Sequence, residues 1–353
     1  MAIPKKYRYD PSAVLGNDCP ISIVTGARSF GKTYGWKKRC IKYFLEKGWT
    51  WGYLRTFDQE IKDVLADGPE AFFSDIMRND EFPGYRFRCM GRLMQVGKVK
   101  ENDEVENWQT MGQFLALTKA QSYKGKAVAN MHYVIFDEFI RETRVPPYPK
   151  NCVEMLINLW ETLDRRENRV RIVMLANAAD VVNPYFVEWH ITPPPVGKSK
   201  RVDVGAAQVF VQNCWSKKFE EYADDSNIGR LTRGSKYAAY AQMNQFRNDT
   251  DTFIEQRPKR SAPTRNIRWG QDTFCLWMDL GLSGKMYVCD KASTEVETIV
   301  LMREDMEPDL VMIERTDPLL KGYARMYRRG LMLFDSVQTR ERFCDVLTMC
   351  GVR

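Results

Sequence analysis

Two short stretches carry side chains whose types and spacing can do chemistry. Gly26-Ala27-Arg28-Ser29-Phe30-Gly31-Lys32-Thr33 is GxxxxGKT without a mismatch. Glycines at the two fixed positions let successive backbone N–H groups turn inward around an anion, and a following helix N-terminus adds its positive dipole. Lys32 is then placed to bridge the β- and γ-phosphates of a nucleoside triphosphate, with the Thr33 hydroxyl as a ligand for Mg²⁺. The second stretch is Asp137-Glu138, directly after the apolar run Tyr133 to Phe136. Asp137 is expected in the Mg²⁺ shell, and Glu138 beside the γ-phosphate, where a carboxylate polarises the attacking water. A GTPase places that water with Gln, and no NKxD guanine motif occurs, so ATP is expected over GTP.

These side chains need strands and helices to hold them. Ile21 to Val24 is a β-branched run after Pro20, a strand that feeds the glycine loop. After the loop, Trp36, Cys40, Ile41, Phe44 and Leu45 recur at helical spacing. Lys37, Lys38, Arg39 and Lys42 are expected on the opposite, solvent side, and Gly48 should end the helix. Tyr133 to Phe136 reads as a buried parallel strand, which presents the acid pair at the strand end where α/β sheets bind ligands. Val153, Leu156, Ile157, Leu159, Trp160 and Leu163 mark a further helix that ends in Asp164-Arg165-Arg166-Glu167-Asn168-Arg169. Val170 to Ala176 makes another strand, and Asn177 at its end could sense the γ-phosphate through its amide. Arg165 or Arg166 is a candidate arginine finger for a neighbouring subunit's nucleotide, a role worth roughly 10³ to 10⁵ in rate. The same arginines would also complement the helix C-terminal dipole.

Composition narrows the classes. At 353 residues with 44% hydrophobic side chains, the chain has material for two globular domains. Nothing in it reaches the roughly 18 apolar residues of a membrane span, and Met1 to Asp10 has no hydrophobic signal core, so a soluble, intracellular protein without a membrane partner is expected. Nine cysteines without a CxxC pair fit reduced core thiols rather than a disulfide framework or zinc ribbon. Only His132 and His190 are available, which excludes a multi-histidine metal site. The net charge of +7 is concentrated in the first 50 residues and points to a polyanionic partner.

In Gly26 to Thr33, Val134 to Glu142, Leu156 to Arg171 and Asn177 to Phe186, the sequence resembles DNA-packaging motor ATPases of the phi29-like tailed phages, relatives of terminase large subunits. Weaker similarity continues through Asn244-Gln245-Phe246 to the end. The resemblance implies a P-loop NTPase of the additional-strand catalytic-glutamate type with a mostly parallel sheet, followed by a C-terminal RNase H-like α/β domain. It implies a ring, a pentamer, at the portal vertex of an empty capsid in the host cytoplasm, driving double-stranded DNA inward with ATP. Whether a packaging RNA is an intermediary stays open. By position, Arg165 matches the family's trans-acting arginine finger, in preference to Arg166, and Lys124 matches a lysine that acts across the subunit interface.

The expected boundaries are an ATPase domain over 1–200, a linker region over 201–262 and the RNase H-like domain over 263–353. Arg257, Lys259, Arg260, Arg265 and Arg268, with no intervening acid, read as an extended basic linker that would bind nucleic-acid phosphates, and Arg55 is a further candidate DNA contact. Phe274 to Leu280 and Met286 to Cys289 read as a hairpin, with later strands at Leu310 to Ile313 and Leu331 to Phe334. Asp279 and Asp335 are expected on strands one and four of the RNase H-like sheet, where two-metal nucleases keep carboxylates, but no convincing third ligand accompanies them. A cutting terminase and a nucleotide-stabilised assembly module are the rival readings.

Overall fold

The computed structural model describes residues 8–123, 129–141, 148–177, 183–233, 253–281, 283–314 and 316–352. The chain divides into two compact units, Met1–Arg247 and Asn248–Arg353.

In the first unit, α1 (Ser12–Leu15) leads into β1 (Ile21–Gly26), the glycine loop and α2 (Lys32–Lys47). Gly48, in the left-handed conformation at φ 68°, donates its N–H to the Phe44 carbonyl and stops α2 where the sequence places its end. There follow β2 (Thr50–Arg55), α3 (Asp58–Ala66), α4 (Ser74–Arg78), β3 (Tyr85–Met90), β4 (Leu93–Val99) and β5 (Val105–Ala116). Then come β6 (Met131–Asp137), α5 (Cys152–Asp164), β7 (Arg171–Ala176), α6 (Pro184–Glu188), β8 (Ser199–Val204), β9 (Ala207–Cys214), α7 (Lys217–Asp224) and α8 (Asn227–Thr232). Among the described residues these strands form one sheet of order β3-β4-β5-β2-β6-β7-β1-β9-β8. The six strands from β5 to β9 in that order are parallel, while β3, β4 and β8 extend the edges antiparallel.

Side chains alternate across a strand, so each central strand feeds both faces. Val24, Tyr53, Ile135, Val173 and Leu175 pack into the core that contains Trp36, Cys40 and Ile41 of α2. Ile23, Leu54, Val134, Phe136 and Met174 pack into the core beneath Leu156, Leu159 and Leu163 of α5. The result is a three-layer α/β/α unit. Lys37 departs from its expected solvent position: it is buried, because its ammonium is bonded to the Phe72 carbonyl at 2.7 Å and to both Asp75 oxygens at 2.7 and 2.9 Å. Burial pulls its pKa down, against the opposing pull of Asp75.

The second unit is also α/β. Strands β10 (Ser261–Trp269), β11 (Asp272–Asp279) and β12 (Met286–Cys289) form an antiparallel meander. β13 (Thr298–Val300) joins β10, β14 (Val311–Met312) joins β13 and β15 (Met332–Phe334) joins β12, all parallel, giving the order β14-β13-β10-β11-β12-β15. Helices Pro318–Arg328 and Val337–Met349 complete a core around Phe274, Phe334 and Phe343.

Among the described residues of the region expected as a linker, several belong to strands and helices. β8 and β9 belong to the first unit's sheet, where β9 pairs with β1 from Ile21↔Val209 to Gly26↔Cys214. Much of the basic run is strand β10; Pro263 sits at a register shift, where a missing N–H costs no ladder bond. Its cations are largely spent within the unit: Arg257 lies 3.8 Å over the Trp277 ring, Arg260 bonds Asp279 at 2.8 Å and Arg268 meets Glu307 at 2.7 Å. Arg265 is 3.9 Å from Glu297, and Lys259 is exposed. No helix among the described residues is long and apolar enough to cross a membrane, and their cysteines are free thiols.

Candidate active site

The expected loop and acid pair converge at the C-terminal ends of β1, β6 and β7. Gly31, at φ 86°, and Ser29, at φ 62°, give the loop its inward turn. Phe30 is buried against Phe219, with ring centroids 4.9 Å apart, and its backbone oxygen accepts from the Tyr9 N–H, so the loop is anchored at its centre. Gly26 is required sterically, since a Cβ there would overlap the Cys214 sulfur on β9. Burial pushes the Cys214 thiol up to about 11, against the lowering effect of Lys32. The Lys32 ammonium lies 2.9 Å from the Gly26 oxygen, 2.8 Å from the Ala27 oxygen and 3.3 Å from Asn177 Oδ1. Arg28, Ser29, Lys32, Thr33, Glu138 and Asn177 face a common cavity of about 350 Å³.

The acids meet this loop at hydrogen-bond distance. Thr33 donates to Asp137 Oδ2 at 2.9 Å, and the Tyr53 hydroxyl donates to the same oxygen at 2.8 Å. The Glu138 N–H donates to Asp137 Oδ1 at 3.1 Å. Burial, reinforced by the Asp137 charge, holds the Tyr53 hydroxyl far above its ordinary pKa, so it stays a donor. Two adjacent oxygen groups, one hydroxyl and one carboxylate, facing the cavity suit a hard cation such as Mg²⁺. Glu138 takes a left-handed backbone at φ 53° and leaves its side chain 60% exposed at the cavity.

Arg55 does not stand free for DNA. Its side chain is 12% exposed, its Nη2 lies 2.5 Å from Glu138 Oε2, and its Nε is 3.7 Å from Glu60. The reason is strand parity: Arg55 lies two residues beyond Tyr53, on the same face of β2 and beside Asp137 of β6. Sequence reasoning missed Tyr53 and this pairing. A tyrosine inside an otherwise apolar strand next to the acid pair was the available signal.

Arg165 is exposed at the end of α5, with a left-handed backbone at φ 52°, and among the described residues no carboxylate pairs with it. Arg166 is paired with Glu161 at 2.8 Å. The loop is held by Asp164, whose carboxylate accepts the N–H groups of Asn168, Arg169 and Val170 at 2.9, 2.9 and 2.8 Å. Arg169 bonds the Met131 carbonyl at 2.8 Å, which places the loop at the start of β6, whereas Glu138 follows its end. At about 3.3 Å per residue, β6 separates the two by about 20 Å. Lys124 lies outside the described residues.

In the second unit, Asp279 and Asp335 do not form a pair. Asp279 ends β11, the second strand rather than the first, beside the Met278↔Met286 pairing, whereas Asp335 follows β15 at the Val288↔Phe334 end. β12 lies between them and its length separates them. Asp279 is engaged by Arg260, Ser283 and the Gly281 N–H, which hold its carboxyl far below the usual carboxylate range. Among the described residues no cluster of three or more His, Cys, Asp or Glu could hold a metal ion.

Residues 3–348 match the model of the Podovirus DNA encapsidation protein (Gp16) family. The chain belongs to that family. It is 29% identical over 335 residues to the DNA packaging protein of Bacillus phage phi29, covering 94% of each chain. To the DNA packaging protein of Bacillus phage B103 it is 28% identical over 325 residues, covering 92% of this chain and 95% of that one. Its structure resembles a chain of the bacteriophage Phi-29 viral genome packaging motor assembly with a TM-score of 0.70, at 27% identity and 98% and 99% coverage.

Proposed function

We propose that this encapsidation-family chain is the ATP-hydrolysing subunit of a ring that drives double-stranded DNA into a preformed capsid through its portal. The observation that carries the reading is the meeting of Thr33 and Asp137 at 2.9 Å, with Lys32 and Glu138 on the same cavity. The order β6-β7-β1 inserts one strand between the loop-bearing and acid-bearing strands, which supports the additional-strand, catalytic-glutamate class. In the second unit, counting strands in chain order, the run β14-β13-β10-β11-β12 reads five-four-one-two-three, which supports an RNase H-like fold. The separation of Asp279 from Asp335 favours a docking role for that unit over nucleic-acid cleavage.

Backbone amides of the loop and Lys32 would hold the triphosphate, and Thr33 with Asp137 would hold Mg²⁺. Bound there, the cation would neutralise charge on the phosphate oxygens. Glu138 would orient the attacking water and accept its proton, and Asn177 would contact the γ-phosphate. Arg165, on the loop that Arg169 ties to the start of β6 while Glu138 follows its end, would serve a neighbouring subunit in a homo-oligomeric ring, a pentamer in this reading, with Lys124 contributing at the same interface. Lys259 is the best placed of the basic candidates for DNA phosphates.

Glu138→Gln tests the assignment. The variant is expected to bind Mg-ATP like the parent and to lose nearly all DNA-stimulated phosphate release. Unchanged turnover would remove Glu138 from its role. A parent protein whose hydrolysis ignores DNA at saturating ATP would favour the assembly-module reading.

A further inference from the structure

We infer that Tyr53 is a positioning residue for the cation site, holding Asp137 in the orientation that lets it share a cation with Thr33. The inference rests on the proposed role of Thr33 and Asp137. Asp137 Oδ2 receives two hydrogen bonds, from Thr33 and from Tyr53. Thr33 is itself a candidate ligand on the loop side, so its bond to Asp137 ties two ligands together without fixing either to the sheet. Tyr53 is the side-chain donor from outside the ligand pair; the other donor, the Glu138 N–H, reaches Oδ1 from the adjoining backbone. It stands on β2, directly beside β6 in the pairing Tyr53↔Ile135, and its ring is wedged edge-on between Phe72 at 4.8 Å and Phe114 at 5.7 Å. A fully buried ring with two aromatic neighbours has little freedom, and its hydroxyl therefore sets the carboxylate's rotation. Groups that orient ligands in this way are worth 10- to 100-fold in metal affinity.

Arg55, two residues beyond Tyr53 on the same face of β2, bonds Glu138.

The test is equilibrium binding of a fluorescent, non-hydrolysable ATP analogue, titrated with Mg²⁺ and repeated in EDTA, for the parent, Tyr53→Phe, Asp137→Asn and the double variant. Tyr53→Phe keeps the ring and removes one oxygen. Its Mg²⁺ midpoint is expected to rise about tenfold, with binding in EDTA unchanged and with no further shift on top of Asp137→Asn. An unmoved midpoint, equal loss of binding in EDTA, or the full shift persisting in the Asp137→Asn background would overturn the inference. A parent protein whose analogue binding ignores Mg²⁺ would overturn the assignment of Thr33 and Asp137 instead.

Discussion

Asp164→Asn separates the mounting of Arg165 from the arginine itself. The Asp164 carboxylate is buried and accepts three backbone N–H groups, two on Oδ1 and one on Oδ2. An amide can keep the Oδ1 pair but turns an N–H₂ donor toward the Asn168 N–H. Losing one charge-assisted bond and opposing two donors costs about 2 to 3 kcal/mol. In a unit of this size that is a fall of roughly 5 to 10 °C in melting temperature. The pH dependence has a definite sign. Burial raises the Asp164 pKa, but the three N–H donors outweigh it and leave the folded-state value depressed. The carboxylate's contribution is therefore complete above the unfolded value of about 4 and is lost as pH falls through the lower, folded value. Melting followed by circular dichroism should give a constant gap between parent and variant from pH 7 to 5 that narrows below about 4. Displacing the loop by even ~1 Å would lower DNA-stimulated ATP turnover by up to about 100-fold, with ATP-analogue affinity unchanged. Equal melting temperatures at pH 7, a gap that widens in acid, or a destabilised variant with full turnover would refute the reasoning.

Arg165→Ala subunits and Arg165-intact Glu138→Gln subunits should each be nearly inactive alone, yet regain ATP turnover when mixed, because an intact site then forms between two copies. Absence of recovery in the mixture would argue against action in trans. Gly26→Ala should abolish ATP-analogue binding through its overlap with Cys214, and Cys214→Ala in the same chain should restore part of it. Parental affinity in the single variant would show that the loop adapts to the added methyl group.

The legible parts of this chain were those where one residue type has one physical reason to be present. The glycines and Lys32-Thr33 mark the tight turn from β1 into α2, and a run such as Tyr133 to Phe136 must be buried on both faces. Partnered charge was the illegible part. Arg257 to Arg268 reads as an open cationic ribbon until Asp279, Glu297, Glu307 and the Trp277 ring are brought to it from elsewhere in the chain. Lys37 was misplaced for the same reason, and the partner of Arg55 went unseen, since Asp75 and Glu138 are distant in sequence and adjacent in space. The outer strands β3 and β4 carry Arg86, Arg88 and Gly97 among their apolar residues and lack the continuous apolar signature of the central strands.

Tyr53 and Arg55 share one parity on β2, and Asp137 answers them from the neighbouring strand. A single-residue insertion just before Tyr53 would rotate the phenol and the guanidinium to the α5 side and send Leu54 toward Asp137. Chemistry and core would be lost in the same step. The machinery therefore tolerates changes of side chain far better than changes of length along β2.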